Sequence, residues 1–260
     1  DDKDGRGTYY CSGCGAGDGF KLAMGYTGKP FRDIAQQVER TAGSLPTVAA
    51  KSGRTDDEKR EAMRRMWAGA APVALGDETS LYLAGRGLKL EGRHQCLRTH
   101  PALAYHGEGQ TGTYPAMLAL VTGQDGKGRS IHRTYLQDGQ KAPVQSPKKL
   151  TEGLGIAGAA IRLGGVAERL GIAEGVETAL AVAQLFSLPV WSCISAHGVE
   201  SFEPPEGVKA VVIFADHDAN FTGQKASFAA AHRLSLRGFD VEVRIPPQVG
   251  DWHDELLRAG

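Results

Sequence analysis

Over the last ninety or so residues, short apolar runs alternate with segments of helical periodicity. Gly171–Ala173 reads as a short strand, Val176–Phe186 as a helix and Pro189–Ile194 as a strand. A Pro-rich connection leads to Ala210–Phe214, an unbroken apolar run typical of a strand buried on both faces. A helix over Lys225–Arg237, a strand over Val241–Ile245 and a terminal helix over His253–Arg258 complete the series. Strands and helices in this order predict a parallel sheet joined by right-handed crossovers, with helices on its flanks.

The pattern changes upstream. Between Leu81 and about Leu163 the apolar runs are short and separated by glycines. Met117–Val121 and Ser130–Leu136 flank the turn-like Asp125-Gly-Lys-Gly128 and read as a hairpin, and Lys141–Lys149, with two prolines, reads as a loop. Met63, Met66 and Trp67 share one face of a helix predicted over Asp56–Gly69, which would link two units. A short helix is expected over Asp33–Ala42, ended by Gly43-Ser-Leu-Pro46. The first twenty residues are rich in Gly and Asp and hold Cys11-x-x-Cys14.

Composition adds a contrast between halves. The 260 residues are 41% hydrophobic, enough for one large domain or two small ones. No apolar stretch approaches the ~18 residues of a membrane span, no signal peptide opens the chain, and four cysteines make no disulfide framework. These features suggest no membrane partner and a reducing, cytoplasmic location. Net charge is zero, yet residues 1–150 carry 22 Lys+Arg against 16 Asp+Glu, and residues 151–260 carry 8 against 14. A basic half suits a polyanion and an acidic half suits a cation, although two differently solvated surfaces would give the same count. No Gly-x4-Gly-Lys-Ser/Thr loop is present, so an ATP-driven helicase module is not expected in this chain.

The acids sit where strands should end. Glu174 follows one strand and precedes Gly175; Asp216 and Asp218 follow another and flank His217. Ligands of open α/β sheets bind at the carboxyl ends of their strands, and Mg²⁺ takes one or two carboxylates together with phosphate oxygens. In extended backbone Asp216 and Asp218 lie on the same side, an unfavourable pair of like charges unless a cation neutralises it. As alternatives, Glu174 and Glu177 would be helix-start carboxylates and the Asp pair an ordinary polar loop. In Asp251-Trp-His-Asp254, Asp251 suits capping of the last helix and metal contact equally.

Three segments together resemble the Toprim domain of bacterial-type primases, topoisomerases and some nucleases: Ile172-Ala-Glu-Gly-Val-Glu-Thr-Ala-Leu180, Phe214-Ala-Asp-His-Asp218 with Gly223-Gln-Lys-Ala226, and Asp251-Trp-His-Asp254. Asp1 to Phe20, around Cys11 and Cys14, resembles the second half of a zinc ribbon. Tyr82-Leu-Ala-Gly-Arg-Gly87, Leu97-Arg-Thr-His-Pro101, His132-Arg-Thr-Tyr-Leu136 and Ala160-Ile-Arg-Leu163 are similar to the middle region of phage and plasmid primases. The implied fold is α/β: a Toprim-like parallel sheet flanked by helices, preceded by a mixed α+β subdomain and a partial ribbon. The implied boundaries are 1–45 for ribbon and short helix, 46–75 for a helical linker, 76–165 for a basic subdomain and 166–260 for the catalytic domain.

The resemblance implies a DNA primase of a mobile element, making short RNA primers on single-stranded DNA from ribonucleoside triphosphates, with a replicative helicase as partner. Glu174, Asp216 and Asp218 would be catalytic and, with Asp251, would hold Mg²⁺ or Mn²⁺. Arg86, Arg98, Arg133, Lys141, Arg162 and Lys225 would contact template or nucleotide. Lys148 and Lys149, in the same basic region, share that expectation. Structural zinc needs four ligands, so Zn²⁺ is expected only if a second pair precedes Asp1; Cys96 and Cys193 read as core thiols. A redox role for Cys11 and Cys14 lacks the βαβ surroundings it needs. Housekeeping primases tend to carry an acid four residues after the Toprim Glu; Thr178 stands there and Glu177 one place earlier, which points to the mobile-element branch. The competing functions are a Toprim nuclease using the same acids and a non-catalytic, zinc- and DNA-binding replication adaptor.

Overall fold

The computed structural model describes residues 7–11, 15–42, 54–90 and 94–259. The chain forms two units, residues 1–54 and 55–260. In the first, β1 (Tyr9–Cys11) pairs antiparallel with β2 (Gly15–Gly17), and α1 (Gly19–Thr27) and α2 (Phe31–Ala42) follow. Asp18 caps α1 by accepting from the Lys21 amide, and Gly28 ends it at φ 68°, a left-handed conformation that glycine adopts without a Cβ penalty. The sequence pattern anticipates α2 but not α1, which contains two glycines and buries no residue. Cys14 and the side chain of Cys11 lie outside the described residues, and with them the ribbon expectation.

The second unit starts with α3 (Asp56–Ala68), opened by a reciprocal capping box between Thr55 and Glu58. Its predicted apolar face, Met63 with Met66 and Trp67, packs against Ala116, Leu118 and Ile131 and is part of this unit's core. Next come β3 (Ala71–Pro72), α4 (Glu78–Gly85), β4 (Leu97–Gly107), β5 (Gln110–Thr122), β6 (Gly128–Gln137), β7 (Gln140–Lys141), β8 (Lys148–Leu150) and β9 (Ala160–Ile161). The predicted hairpin is the β5–β6 pair, all antiparallel. Pro101 has no N–H to give the β4–β5 ladder, and the register shifts there, between His100 and Leu103. The segment read as a loop over Lys141–Lys149 ends in a strand. Its prolines occupy only the middle, and Lys148 to Leu150 pair with His132 to Thr134 of β6.

The last third follows the predicted alternation: β10 (Arg169–Ala173), α5 (Val176–Phe186), β11 (Val190–Ser192), α6 (Ala196–Ser201), β12 (Ala210–Phe214), α7 (Thr222–Leu236), β13 (Asp240–Arg244) and α8 (Trp252–Ala259). The four strands are parallel in the spatial order β13-β12-β10-β11. Side chains alternate across β10 and β12. Leu170, Ile172, Val211 and Ile213 pack with Val199, Ala230 and Leu234 of α6 and α7. Ala173, Val212 and Phe214 instead join Ala179, Leu180 and Trp252 of α5 and α8.

The mixed α+β region ahead of the parallel sheet is continuous with it. Two-residue β9 pairs antiparallel with both β11 and β5. The parallel and antiparallel strands are therefore a single mixed sheet of eleven strands among the described residues. A strand this short gives no periodic signal, so the join is invisible in the sequence.

Candidate functional site

The strand order reverses at β10. The chain leaves it through α5 to β11 on one side, then returns through α6 to β12 on the other. Such a switch point opens a crevice at the carboxyl ends of the strands. Glu174 is the first residue after β10, and its carbonyl is held by the Ile194 amide at 2.7 Å and by Ser192 Oγ at 2.8 Å. Ile194 itself sits at φ 76°, unusual for a β-branched side chain and typical of backbone over-determined at a functional site.

Asp216 and Asp218 leave β12 together. His217, between them, turns aside and bonds the Pro246 carbonyl through Nδ1 at 2.9 Å. Asp218 Oδ2 accepts the Gly223 amide at 2.8 Å, and a Cβ on Gly223 would lie 3.0 Å from the Asp216 carbonyl, so glycine lets the start of α7 close on this turn. His217 and Gly250 exchange backbone hydrogen bonds of 2.9 and 3.2 Å, which brings Asp251 beside the pair. Asp251 Oδ1 accepts the His253 and Asp254 amides at 2.8 and 3.0 Å, the predicted helix cap, while the residue also lines the crevice. Capping and site membership coexist.

The crevice encloses about 240 Å³, and Glu174, Asp216 and Asp251 share it with Arg86, Lys141 and Lys148. The acids come from the parallel half of the sheet and the cations from α4, β7 and β8. The charge asymmetry of the sequence is thus brought together at one place. Burial, then the charges of Glu174, Asp251 and Asp218, pushes the Asp216 carboxyl up to about 7. Burial and Asp218 also raise Glu174. Burial, then Lys148, lowers Lys141 and takes His132 down to about 4, so that His132 is neutral at pH 7. Glu177 behaves in the opposite sense. Burial opposes its ionisation, but the Lys148 ammonium at 2.7 Å and the Tyr82 hydroxyl at 2.7 Å outweigh this and hold it near 2.

A hard divalent cation fits this donor set. The carboxylates are all oxygen donors, burial and the neighbouring carboxylate charges raise the proton affinity of Asp216 and Glu174, and Asp216 Oδ1 is buried without a hydrogen-bond partner. A second grouping, Asp251 with His253 and Asp254, has ligand atoms within 4.8 Å of one another. It suits a metal less well, because both ring nitrogens of His253 are engaged by Arg86: Nδ1 by Nη2 at 3.0 Å and Nε2 by the carbonyl at 2.8 Å. Among the described residues no such grouping includes His94, Cys96 or His100. Cys96 and Cys193 are free and buried, as core thiols should be.

Of the eight cations expected from the sequence to contact template or nucleotide, Arg86, Lys141 and Lys148 reach the crevice. Arg98 instead donates to the Trp67 and Ala70 carbonyls at 2.9 and 3.1 Å and stacks on the Trp67 ring. Arg162 holds the Gly123 carbonyl at 2.6 Å and covers Trp191. Arg133 bonds Tyr135 Oη and the Leu150 carbonyl, and Lys225 is exposed on α7. Arg98→Ala should therefore act first on stability, costing about 1–3 kcal/mol in a urea titration because two carbonyls lose a charged donor. Tyr82 and His253 carry the site's internal bonding beside Lys148, and neither was assigned a role from the sequence. Each lies in an unremarkable local pattern, and only long-range pairing brings it to the acids.

Residues 169–260 match the Toprim domain family, and residues 57–163 match a domain of unknown function (DUF7146). Among solved structures, the Aquifex aeolicus primase (zinc-binding and RNA polymerase domains) superposes with a TM-score of 0.51 at 15% identity, over 98% of this chain and 70% of that one. A DnaG primase catalytic domain bound to ssDNA gives 0.52 at 12%, over 78% and 79%. A DnaG catalytic core gives 0.50 at 14%, over 78% and 74%. At these identities the likeness is one of fold: a Toprim domain within a primase-like catalytic core.

Proposed function

We propose that this protein is a DNA primase core that joins ribonucleotides into short primers on a single-stranded DNA template. The observation that carries the reading is the meeting, in one crevice, of strand-end carboxylates with Arg86, Lys141 and Lys148. Acids alone suit any Toprim chemistry; cations beside them suit a substrate that brings its own triphosphate. Support comes also from the primase-like fold over both matched regions.

Glu174, Asp216, Asp218 and Asp251 would hold Mg²⁺ or Mn²⁺, which supplies Lewis-acid stabilisation of phosphoryl and pyrophosphate charge. Arg86 and Lys141 bind and orient the triphosphate; Lys141 has no ion-pair partner among the described residues and is free to do so. Glu174, whose proton affinity is raised by burial and Asp218, is suited to take the proton of the attacking 3′-hydroxyl. In this reading the boundaries near 45 and 165 divide the chain functionally into ribbon, basic subdomain and catalytic domain, and α3, expected in a linker over 46–75, belongs with the basic subdomain whose core it joins. Arg98, Arg133, Arg162 and Lys225 are left with template phosphates as their only nucleic-acid role, secondary to the internal bonds of the three arginines. A replicative helicase and the bacterial cytoplasm belong to the same reading, as does origin in a phage, plasmid or integrated element. No helix among the described residues is long and apolar enough to cross a membrane.

Incubation with single-stranded DNA, labelled ribonucleoside triphosphates and Mn²⁺ tests the reading. Short labelled RNA is expected. Cleaved DNA without RNA would identify a nuclease instead, and binding with neither product an adaptor. Zinc is a separate matter: Cys11 and Cys14 supply half of a tetrahedral site. Metal analysis of the 260-residue protein should find well under one zinc per chain, rising to one when an upstream ligand pair is added.

A further inference from the structure

Glu177 lies one helical turn beyond Glu174 and lines the same crevice, yet its carboxylate is bonded to Tyr82 and Lys148. It is 4% exposed, and both of its oxygens are taken. Oε1 accepts from Tyr82 Oη of α4 at 2.7 Å, and Oε2 from Lys148 Nζ of β8 at 2.7 Å. Tyr82 is itself 2% exposed. Burial, then Glu177, raises its ionisation well above the ordinary phenol range, so the hydroxyl stays a donor. Lys148 differs: its side chain is 37% exposed and it lines the crevice with Arg86 and Lys141.

We infer that Glu177 is a positioning residue, which fixes the Lys148 ammonium in the crevice for the triphosphate of an incoming nucleotide and does not itself ligate metal. The inference deepens the primase reading and rests on it. An ammonium on a flexible four-carbon stem loses rotamer freedom when it engages a phosphate. An anchor that holds the stem beforehand removes much of that cost from binding. Nζ keeps donors beyond the one given to Glu177, since an ammonium has three. The arrangement also accounts for the acid at position 177. It stands on the side of α5 facing α4 and β8, where the sheet delivers a lysine, and Thr178 takes the place facing Asp251, with Oγ1 3.5 Å from Asp251 Oδ2.

The test is a double-mutant cycle read by two ligands in the full 260-residue protein. Glu177→Gln and Lys148→Met should each weaken binding of a non-hydrolysable ribonucleoside triphosphate by roughly tenfold, about 1.4 kcal/mol, and raise KM for nucleotide more than they lower kcat. The double variant should bind no worse than Lys148→Met alone. Mn²⁺ affinity, followed by electron paramagnetic resonance without nucleotide, should be unchanged in Glu177→Gln. Weakened Mn²⁺ binding in that variant would make Glu177 a metal ligand and overturn the inference, as would losses that multiply in the double variant. If Glu177→Gln does not fold, Tyr82→Phe replaces it in the cycle. Its loss must then appear beside Lys148 and vanish in the Lys148→Met background. Wild-type protein that binds no triphosphate overturns the primase reading and this inference together, whereas wild-type binding with independent variants overturns the inference alone.

Discussion

Glu174→Gln, or Asp216→Asn combined with Asp218→Asn, is expected to reduce primer synthesis by on the order of 10²–10⁴-fold or more, with the fold and single-stranded DNA affinity retained. The carboxylates serve the crevice and not the core. Asp216 Oδ1 has no partner to lose, and Asp218 gives up one backbone bond, from Gly223. Circular dichroism should therefore be unchanged, and the salt dependence of DNA binding should keep its slope, since phosphate contacts set it. Activity lost only in proportion to a large fall in melting temperature would show instead that these acids hold the loops together and do no chemistry.

The acids were legible in the sequence because each ends a clear apolar run, as at Ile172–Ala173 and Val211–Phe214, and strand ends in an alternating β/α frame converge. The crevice's cations were only half legible. Arg86 and Lys141 were selected for their charge and their resemblance, but so were Arg98, Arg133 and Arg162, and charge does not reveal which guanidinium is claimed by a neighbouring carbonyl. That depends on Trp67 and Trp191, brought close by strands far away in sequence. Lys148 was expected among the phosphate-binding cations, but in a loop and with no carboxylate partner. Its role depends on β8 pairing with β6 and on a carboxylate 29 residues further along the chain. Glu177 looked like a helix-start acid because its real partners, Tyr82 and Lys148, come from the other half of the sheet. Local pattern thus located the parallel strands and their acids. Pairing across β9, which unites the halves, had no local pattern to show.

The acid cluster should also make the metal-free protein less stable as pH rises from about 4 to 7. Asp216 has an ordinary value of 3.8 and is held near 7 when folded, by burial and then by Glu174, Asp251 and Asp218. Between those values the folded state carries the additional proton, so stability falls as pH rises and the whole contribution is gone above about 7. Glu177 acts in the opposite direction and in a different window. Its folded value, near 2, is below the ordinary 4.5, so its contribution is complete above 4.5 and is lost only as pH falls toward 2. Melting curves in EDTA should separate the two. Asp216→Asn should match the wild type near pH 4 and melt higher at pH 8, because an amide relieves the repulsion without a proton. Saturating Mn²⁺ should then close or reverse the gap at pH 8, since ligand binding to the folded state at 100 times Kd adds about 2.7 kcal/mol to the wild type. A variant that melts lower than the wild type at pH 8 in EDTA would mean that Asp216 is held by stabilising contacts, and the cluster would not be poised for a cation.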